Sequence, residues 1–243
     1  MKKIFLALGL FTLLACNRQY TPTSVQYLQK PVGSGAPADS ALQRLMAPYR
    51  DSLYNAMSTV LGTLAQPLEK HQPDGSLNRF VADAMLYGAR KIFDMPVQAA
   101  FVNYGGVRLN DVPAGPLTRG RIFELMPFDN ALVVQTVSGV VLQQYLNLAA
   151  QRGGWPVAGV SYVIKEGKAT QVVVDGSPLE PQRQYHIAHS DYIANGGDEI
   201  NLFITLPQQN RGYLLRDALL DYVASFTQQG KPVTVPLQPR ITK

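Results

Sequence analysis

Apolar residues along this chain switch repeatedly between helical spacing and the alternation of a strand, and this interleaving limits the possible folds more than any other feature. Leu42, Leu45, Met46, Tyr49 and Leu53 recur at helical spacing behind Asp39 and Ser40, either of which can cap the start, with Pro48 placed where it could kink or end the first part. Ser58 to Leu64, rich in branched and small residues, suits a strand, and Leu77, Phe80, Val81, Ala84 and Met85 mark a second helix. Val97 to Val102 reads as a short buried strand ending in a turn. Ala131 to Val137 reads as another strand, followed by a helix from near Ser138 whose Val141, Leu142, Tyr145, Leu146 and Ala149 share a face. From Val160 the pattern becomes a meander: Val160, Tyr162 and Ile164, a turn at Lys165 to Lys168, Val172 and Val174, a turn at Asp175 to Pro178, then Tyr185 to Ala188. A last helix carries Tyr213, Leu214, Ala218, Leu219, Tyr222, Val223 and Phe226 and ends near Gly230. There is no internal repeat. The expectation is one mixed α/β (α+β) domain over residues 40–243, with antiparallel pairing in its second half.

The N-terminus has a different character. Lys2 and Lys3 precede an apolar stretch from Ile4 to Ala15, too short for a lasting membrane span and laid out as a secretory signal over residues 1–15. Leu13-Leu14-Ala15-Cys16 looks like the lipobox of bacterial lipoproteins, which makes Cys16, the single cysteine, the expected lipidation site. Several acyl chains there would give stable anchoring where one alone would not. Residues 16–39 are polar and broken by Pro22, Pro31 and Pro37, and are expected to be a flexible tether. The expected location is the bacterial cell envelope, lipid-anchored to a membrane and facing the periplasm. Loss of Lys2 and Lys3 takes the formal charge from +5 to +3, and no basic stripe of the kind a nucleic-acid binder carries is visible.

Catalytic candidates are scarce. Metal-dependent ester hydrolysis needs clustered Asp, His and Asn ligands around two ions. The histidines are His71, His186 and His189, and the last two lie three apart on an expected strand, so they face opposite ways. Packing and hydrogen bonding are their expected roles, with no metal site and no catalytic residue assigned. No serine sits in a nucleophile elbow.

Binding chemistry is better represented. Asn103-Tyr104-Gly105-Gly106-Val107-Arg108 follows a buried strand; its glycines let backbone approach a ligand, and an arginine after such a turn can grip a phosphate. Leu125 to Asn130 sets Phe128 beside an amide, and Asp191 to Asp198 supplies Tyr192, a second Gly-Gly and a carboxylate. Two aromatic faces can hold a nucleobase, an amide can pair with its edge, and a carboxylate can accept from both hydroxyls of a ribose.

Taken in order, these segments resemble the C-terminal, substrate-specificity domain of the 5′-nucleotidases, a family that includes bacterial UDP-sugar hydrolases and animal ecto-5′-nucleotidases. The resemblance runs from about Tyr54 to Ile241 through Leu61-Gly62 with Leu68, Leu77 to Met85, Asn103 to Arg108, Val112 to Thr118, Pro127 to Asn130, Ser138-Gly139 and Tyr192 to Asp198. It implies a four-layer α/β/β/α domain that clamps a nucleotide or nucleoside between Phe128 and Tyr192, the latter standing where the family usually has phenylalanine. It further implies that Asp198 holds the ribose hydroxyls, Arg108 the phosphate, and Asn103 and Asn130 the base or its loop, with the Gly153 backbone close to the nucleoside.

Two departures bear on function. The further phosphate-binding arginines that many members carry ahead of the second helix are missing from Lys70 to Ser76, where Lys70 or His71 could substitute. Family enzymes also carry an N-terminal metallophosphoesterase domain with two metal ions, where this chain has a signal and a tether. The resemblance therefore implies no cofactor in this chain, with two divalent metals supplied by a separately encoded metallophosphoesterase partner; a non-catalytic nucleotide-binding lipoprotein is the alternative.

Overall fold

The computed structural model describes residues 24–30, 33 and 38–243, so the expected signal 1–15, Cys16 and most of the expected tether lie outside the described residues. The chain divides into a unit ending at Met46 and a unit from Ala47 to Lys243. In the first, residues 24–30 and 33 are exposed and without regular structure. Helix α1 (Ser40–Met57) begins there, its first N–H groups capped by Asp39, whose Oδ1 accepts from Ala41 at 2.8 Å and Leu42 at 3.1 Å. Pro48 lies inside the helix and does not end it, and none of the helix's residues is buried despite its apolar spacing.

The second unit runs through β1 (Val60–Leu64), β2 (Leu68–Glu69), α2 (Ser76–Ile92), β3 (Ala99–Phe101), β4 (Asp111–Val112), β5 (Gly115–Thr118) and α3 (Arg119–Leu125). It continues with β6 (Ala131–Ser138), α4 (Gly139–Gln151), β7 (Val157–Ala158), β8 (Val160–Lys165), β9 (Lys168–Val174), β10 (Ser177–Pro178) and β11 (Gln184–Ser190). A single turn of helix, α5 (Asp191–Ala194), then leads to β12 (Gln208–Leu214), α6 (Leu215–Gln228) and β13 (Ile241–Thr242).

One five-stranded sheet, in the order β12-β6-β11-β3-β7, organises the unit; a four-stranded sheet, β10-β9-β8-β13, and two small two-stranded sheets accompany it. The two-residue period of a strand sends alternate side chains to opposite faces, and both faces of the large sheet are covered. Leu132, Val134, Ala100 and Ala188 join α2 and α6 in one core. Val137, Phe101, Tyr185 and Ile187 join α4, β8 and β9 in the other. The mixed, layered α/β class expected from the sequence is the one observed.

The pairing differs from a plain meander in two places. β11, expected as the third meander strand, lies instead in the five-stranded sheet, antiparallel to β6 and parallel to β3; β13 runs parallel to β8, while β8–β9 is antiparallel as expected. Tyr213 and Leu214, expected in the last helix, belong to β12; α6 starts one residue later, where the Leu214 N–H donates to Asp217 Oδ2 at 3.4 Å.

Candidate functional site

Strand register gathers the site. β6 and β11 are antiparallel with Ser190 opposite Leu132, so the start of β6 and the end of β11 lie together. β3 runs parallel to β11 with Ala100 beside Ala188, which brings its end to the same edge. The three segments that follow or precede these strand ends carry Asn103, Phe128 with Asn130, and Tyr192 with Asp198. Six of the seven residues singled out in the sequence, Asn103, Arg108, Phe128, Asn130, Tyr192 and Asp198, line one cavity of about 320 Å³ with Gly105 and Gly106. Gly153 is not among the lining residues: it has φ +90°, and a Cβ there would fall 2.8 Å from the Gln72 side-chain oxygen.

Both rings are open to solvent, Phe128 at 41% and Tyr192 at 44%, so neither serves as core. The Phe128 loop is held from across the fold by Arg216, which donates to the carbonyls of Met126 at 3.3 Å and Phe128 at 3.5 Å and pairs with Asp129. Its far end is fixed by the Leu215 N–H, which donates to Asn130 O at 3.0 Å. Tyr192 sits on the one-turn helix α5, whose start is capped by Ser190 Oγ accepting from the Ile193 N–H at 3.2 Å. One side of the Tyr192 ring rests on Gly197, where a Cβ would fall 2.5 Å from ring atom Cδ1 and 2.6 Å from Cζ.

Asp198 is fixed on all sides. Its Oδ2 accepts from Asn103 Nδ2 at 2.8 Å and its Oδ1 from the Tyr192 hydroxyl at 2.9 Å. Its N–H donates back to that hydroxyl at 3.1 Å, and its carbonyl accepts from Arg152 Nη2 at 2.8 Å. Asn103 can turn in toward the carboxylate because Gly106 has no side chain: a Cβ there would fall 2.7 Å from Asn103 Oδ1.

Arg108 brings positive charge to the lining. The Arg108 guanidinium stands 5.6 Å from the Phe128 ring centroid, inside cation–π range, and Arg108 donates to Gly105 O at 3.3 Å. Lys70 lies 4.0 Å from the Tyr104 ring centroid and donates to Val107 O at 2.7 Å. Burial, and then the charge of Arg108, hold its ammonium below the usual lysine range. Of the two residues considered as substitutes for the missing arginines, Lys70 is the one beside Arg108. A second cavity of about 530 Å³, lined by Asp83, Tyr87, Lys91 and Tyr222 among others, is larger. Its charged groups are already engaged, Asp83 with Arg240 and Lys91 with Asp221, so it offers no convergent set for a ligand.

His186 and His189 have separate partners. The ring of His186 hydrogen-bonds Thr136 at 2.9 Å and that of His189 hydrogen-bonds Gln135 at 2.8 Å. Among the described residues, no three His, Cys, Asp or Glu side chains gather as a metal site. Sequence reasoning missed Arg152 and Arg216, which reach the site from helix ends far away in the chain and leave no local pattern.

Comparison with known proteins supplies the lineage. Residues 58–205 match the family model described as 5′-nucleotidase, C-terminal domain. The silent protein UshA(0) of Salmonella typhimurium is 28% identical over 203 residues, covering 77% of this chain and 36% of that protein. A 5′-nucleotidase of Vibrio cholerae is 26% identical over 196 residues, covering 76% of this chain and 34% of its own length. In structure, a 5′-nucleotidase precursor from Thermus thermophilus superposes with a TM-score of 0.71 at 25% identity, covering 85% of this chain and 44% of that one. The chain thus spans about a third of the length of these curated relatives, and it belongs to the family of 5′-nucleotidase C-terminal domains.

Proposed function

We propose that this member of the family binds a nucleoside or nucleotide in the 320 Å³ cavity, with the base between Phe128 and Tyr192 and the ribose hydroxyls on Asp198. Asn103 and Asn130 stand at the base edge or its loop, and Arg108, with Lys70 beside it, faces the phosphate. The observation that carries this reading is the convergence of two half-exposed rings, a fixed carboxylate and an arginine on a single slot. Each component alone is common; together they match the chemistry of a flat base, a diol and an anion.

Ester hydrolysis in this proposal is shared between chains. A separately encoded metallophosphoesterase supplies two divalent ions and the attacking water, and this chain, whose described residues gather no group of metal ligands, supplies specificity by positioning the ester. Lipidation at Cys16 would keep the pair at a membrane of the bacterial envelope, facing the periplasm. Calorimetry with nucleosides and their 5′-monophosphates tests the slot. Phe128→Ala should weaken nucleoside binding by about tenfold, the scale of one base-stacking contact, without lowering the unfolding midpoint. Equal affinity in the variant would remove the base from that ring. The shared reaction is tested by mixing with a candidate metallophosphoesterase: nucleotidase activity present only in the mixture is expected, and unchanged rates would leave a binding protein without turnover.

A further inference from the structure

The hydroxyl of Tyr192 is used twice by one neighbour. Tyr192 Oη donates to Asp198 Oδ1 at 2.9 Å and accepts from the Asp198 N–H at 3.1 Å. We propose that the Tyr192 hydroxyl is a positioning group that makes Asp198 selective for a ribose over a 2′-deoxyribose. This rests on the reading of the cavity as a nucleoside site.

An ionised carboxylate accepts only, and offers about four lone-pair positions on its two oxygens. Asn103 takes one on Oδ2 at 2.8 Å and Tyr192 takes one on Oδ1. One position therefore remains on each oxygen, a pair suited to two adjacent hydroxyl donors. A 2′-deoxy sugar brings one donor and leaves the other position unmet.

Selectivity of this kind depends on the acceptor being unable to turn away. A carboxylate held by Asn103 alone could rotate about its last bond and satisfy its other oxygen with water. The backbone is fixed as well: Asp198 sits at φ 52° and ψ 32°, a left-handed conformation uncommon for a residue with a side chain, followed by Glu199 at φ 60°. Such a conformation persists where its surroundings over-determine it. Here the Tyr192 hydroxyl holds the N–H, and Arg152 holds the carbonyl at 2.8 Å. Phenylalanine at 192 would keep the ring and lose one of those two ties together with the Oδ1 contact.

The test is calorimetry on the full chain with adenosine, guanosine, cytidine and uridine, each against its 2′-deoxy form, using wild type, Tyr192→Phe, Asp198→Asn and the double variant. Wild type should prefer the ribonucleoside by about tenfold or more, the scale of a hydrogen bond to a charged acceptor. Tyr192→Phe should shrink that ratio by about fivefold while still binding, and should have no further effect on the ratio once Asp198 is asparagine. A Tyr192→Phe protein that keeps the full ratio, or loses affinity equally for both sugars, overturns the proposal and leaves the nucleoside site standing. Absence of any nucleoside binding in the wild type overturns the underlying reading and this proposal with it.

Discussion

His189 offers a sharp test of how the strands bearing the site are held. It is wholly buried, and burial pushes its pKa down to about 3 from the ordinary 6.5. Its protonation state follows from its neighbours. Gln135 Nε2 donates to the carbonyls of Phe203 at 3.1 Å and Leu206 at 2.8 Å, which turns Gln135 Oε1 toward the imidazole; His189 Nε2 must then be the protonated nitrogen that donates to it at 2.8 Å. The other nitrogen, Nδ1, is buried with no partner, so a second proton would add a charge and an unmet donor together. Between the two pKa values the unfolded chain binds one more proton than the folded one. Stability from this group is therefore complete above pH 6.5 and is lost as pH falls toward 3, at about 1.4 kcal/mol per pH unit. From pH 7 to pH 4.5 the loss is about 2.5 kcal/mol, or about 5–10 °C in Tm for a domain of about 200 residues. Urea unfolding followed by the fluorescence of Trp155, the single tryptophan and a buried one, reads this directly. His189→Gln keeps a donor for Gln135 and stays neutral at every pH, while His71 and His186 are common to both proteins and cancel. The free-energy gap between wild type and variant should shift by about 2.5 kcal/mol over that range, in the variant's favour at low pH. Parallel profiles would refute the buried, neutral histidine.

Two further outcomes follow from packing. Gly197→Ala would drive a methyl group into the Tyr192 ring, 2.5 Å from Cδ1, so nucleoside affinity measured by calorimetry should fall by about tenfold while the exposed setting of the ring leaves Tm within about 3 °C of wild type. Arg79→Ala removes the guanidinium that pairs with the buried Asp74 carboxylate at 3.2 Å and donates to Asp74 O and Pro236 O, and should lower the unfolding free energy by about 3–5 kcal/mol in urea; a loss below about 1 kcal/mol would refute the weight given to this pair.

Apart from α1, whose apolar spacing marks it although none of its residues is buried, the parts of the fold that could be read from the sequence are those whose burial writes a period. α2, β6, α4, β8, β9, β11 and the body of α6 each bury one face or both, and their apolar spacing marks them. The two-residue strands β2, β4, β7, β10 and β13 carry too few residues to show a period, and their pairing is imposed by neighbours distant in the chain. β12 is an edge strand with Gln208 to Arg211 exposed, so its polar run hid it and let Tyr213 and Leu214 pass as helix. α3 is seven residues long and was not visible, although Ile122 and Leu125 are buried at helical spacing and Thr118 caps it. For the site, short strings next to strand ends were enough to find six lining residues. The hydroxyl bridge from Tyr192 to Asp198 was not foreseeable, because it depends on a left-handed backbone at 198 that no local preference of aspartate and glutamate would impose.

That dependence explains why the site sits where it does. Its loops hang from β6, β11 and β3, the three inner strands of the five-stranded sheet, and not from the edge strands β12 and β7. A slip of β11 by one residue against β6 would turn Ile187 and His189 to the opposite face and carry Tyr192 away from Phe128 at once. The pairing of Gln135 with His189 penalises that slip, since it joins β6 to β11 within the register that sets Ser190 opposite Leu132. Gln135 extends the same brace to the Phe203 and Leu206 carbonyls beyond Asp198. The buried histidine thus braces the two strands from which the loops of Phe128 and Tyr192 hang, and a change at His189 that loosens this brace should reach ligand affinity through geometry alone, with every lining side chain still present.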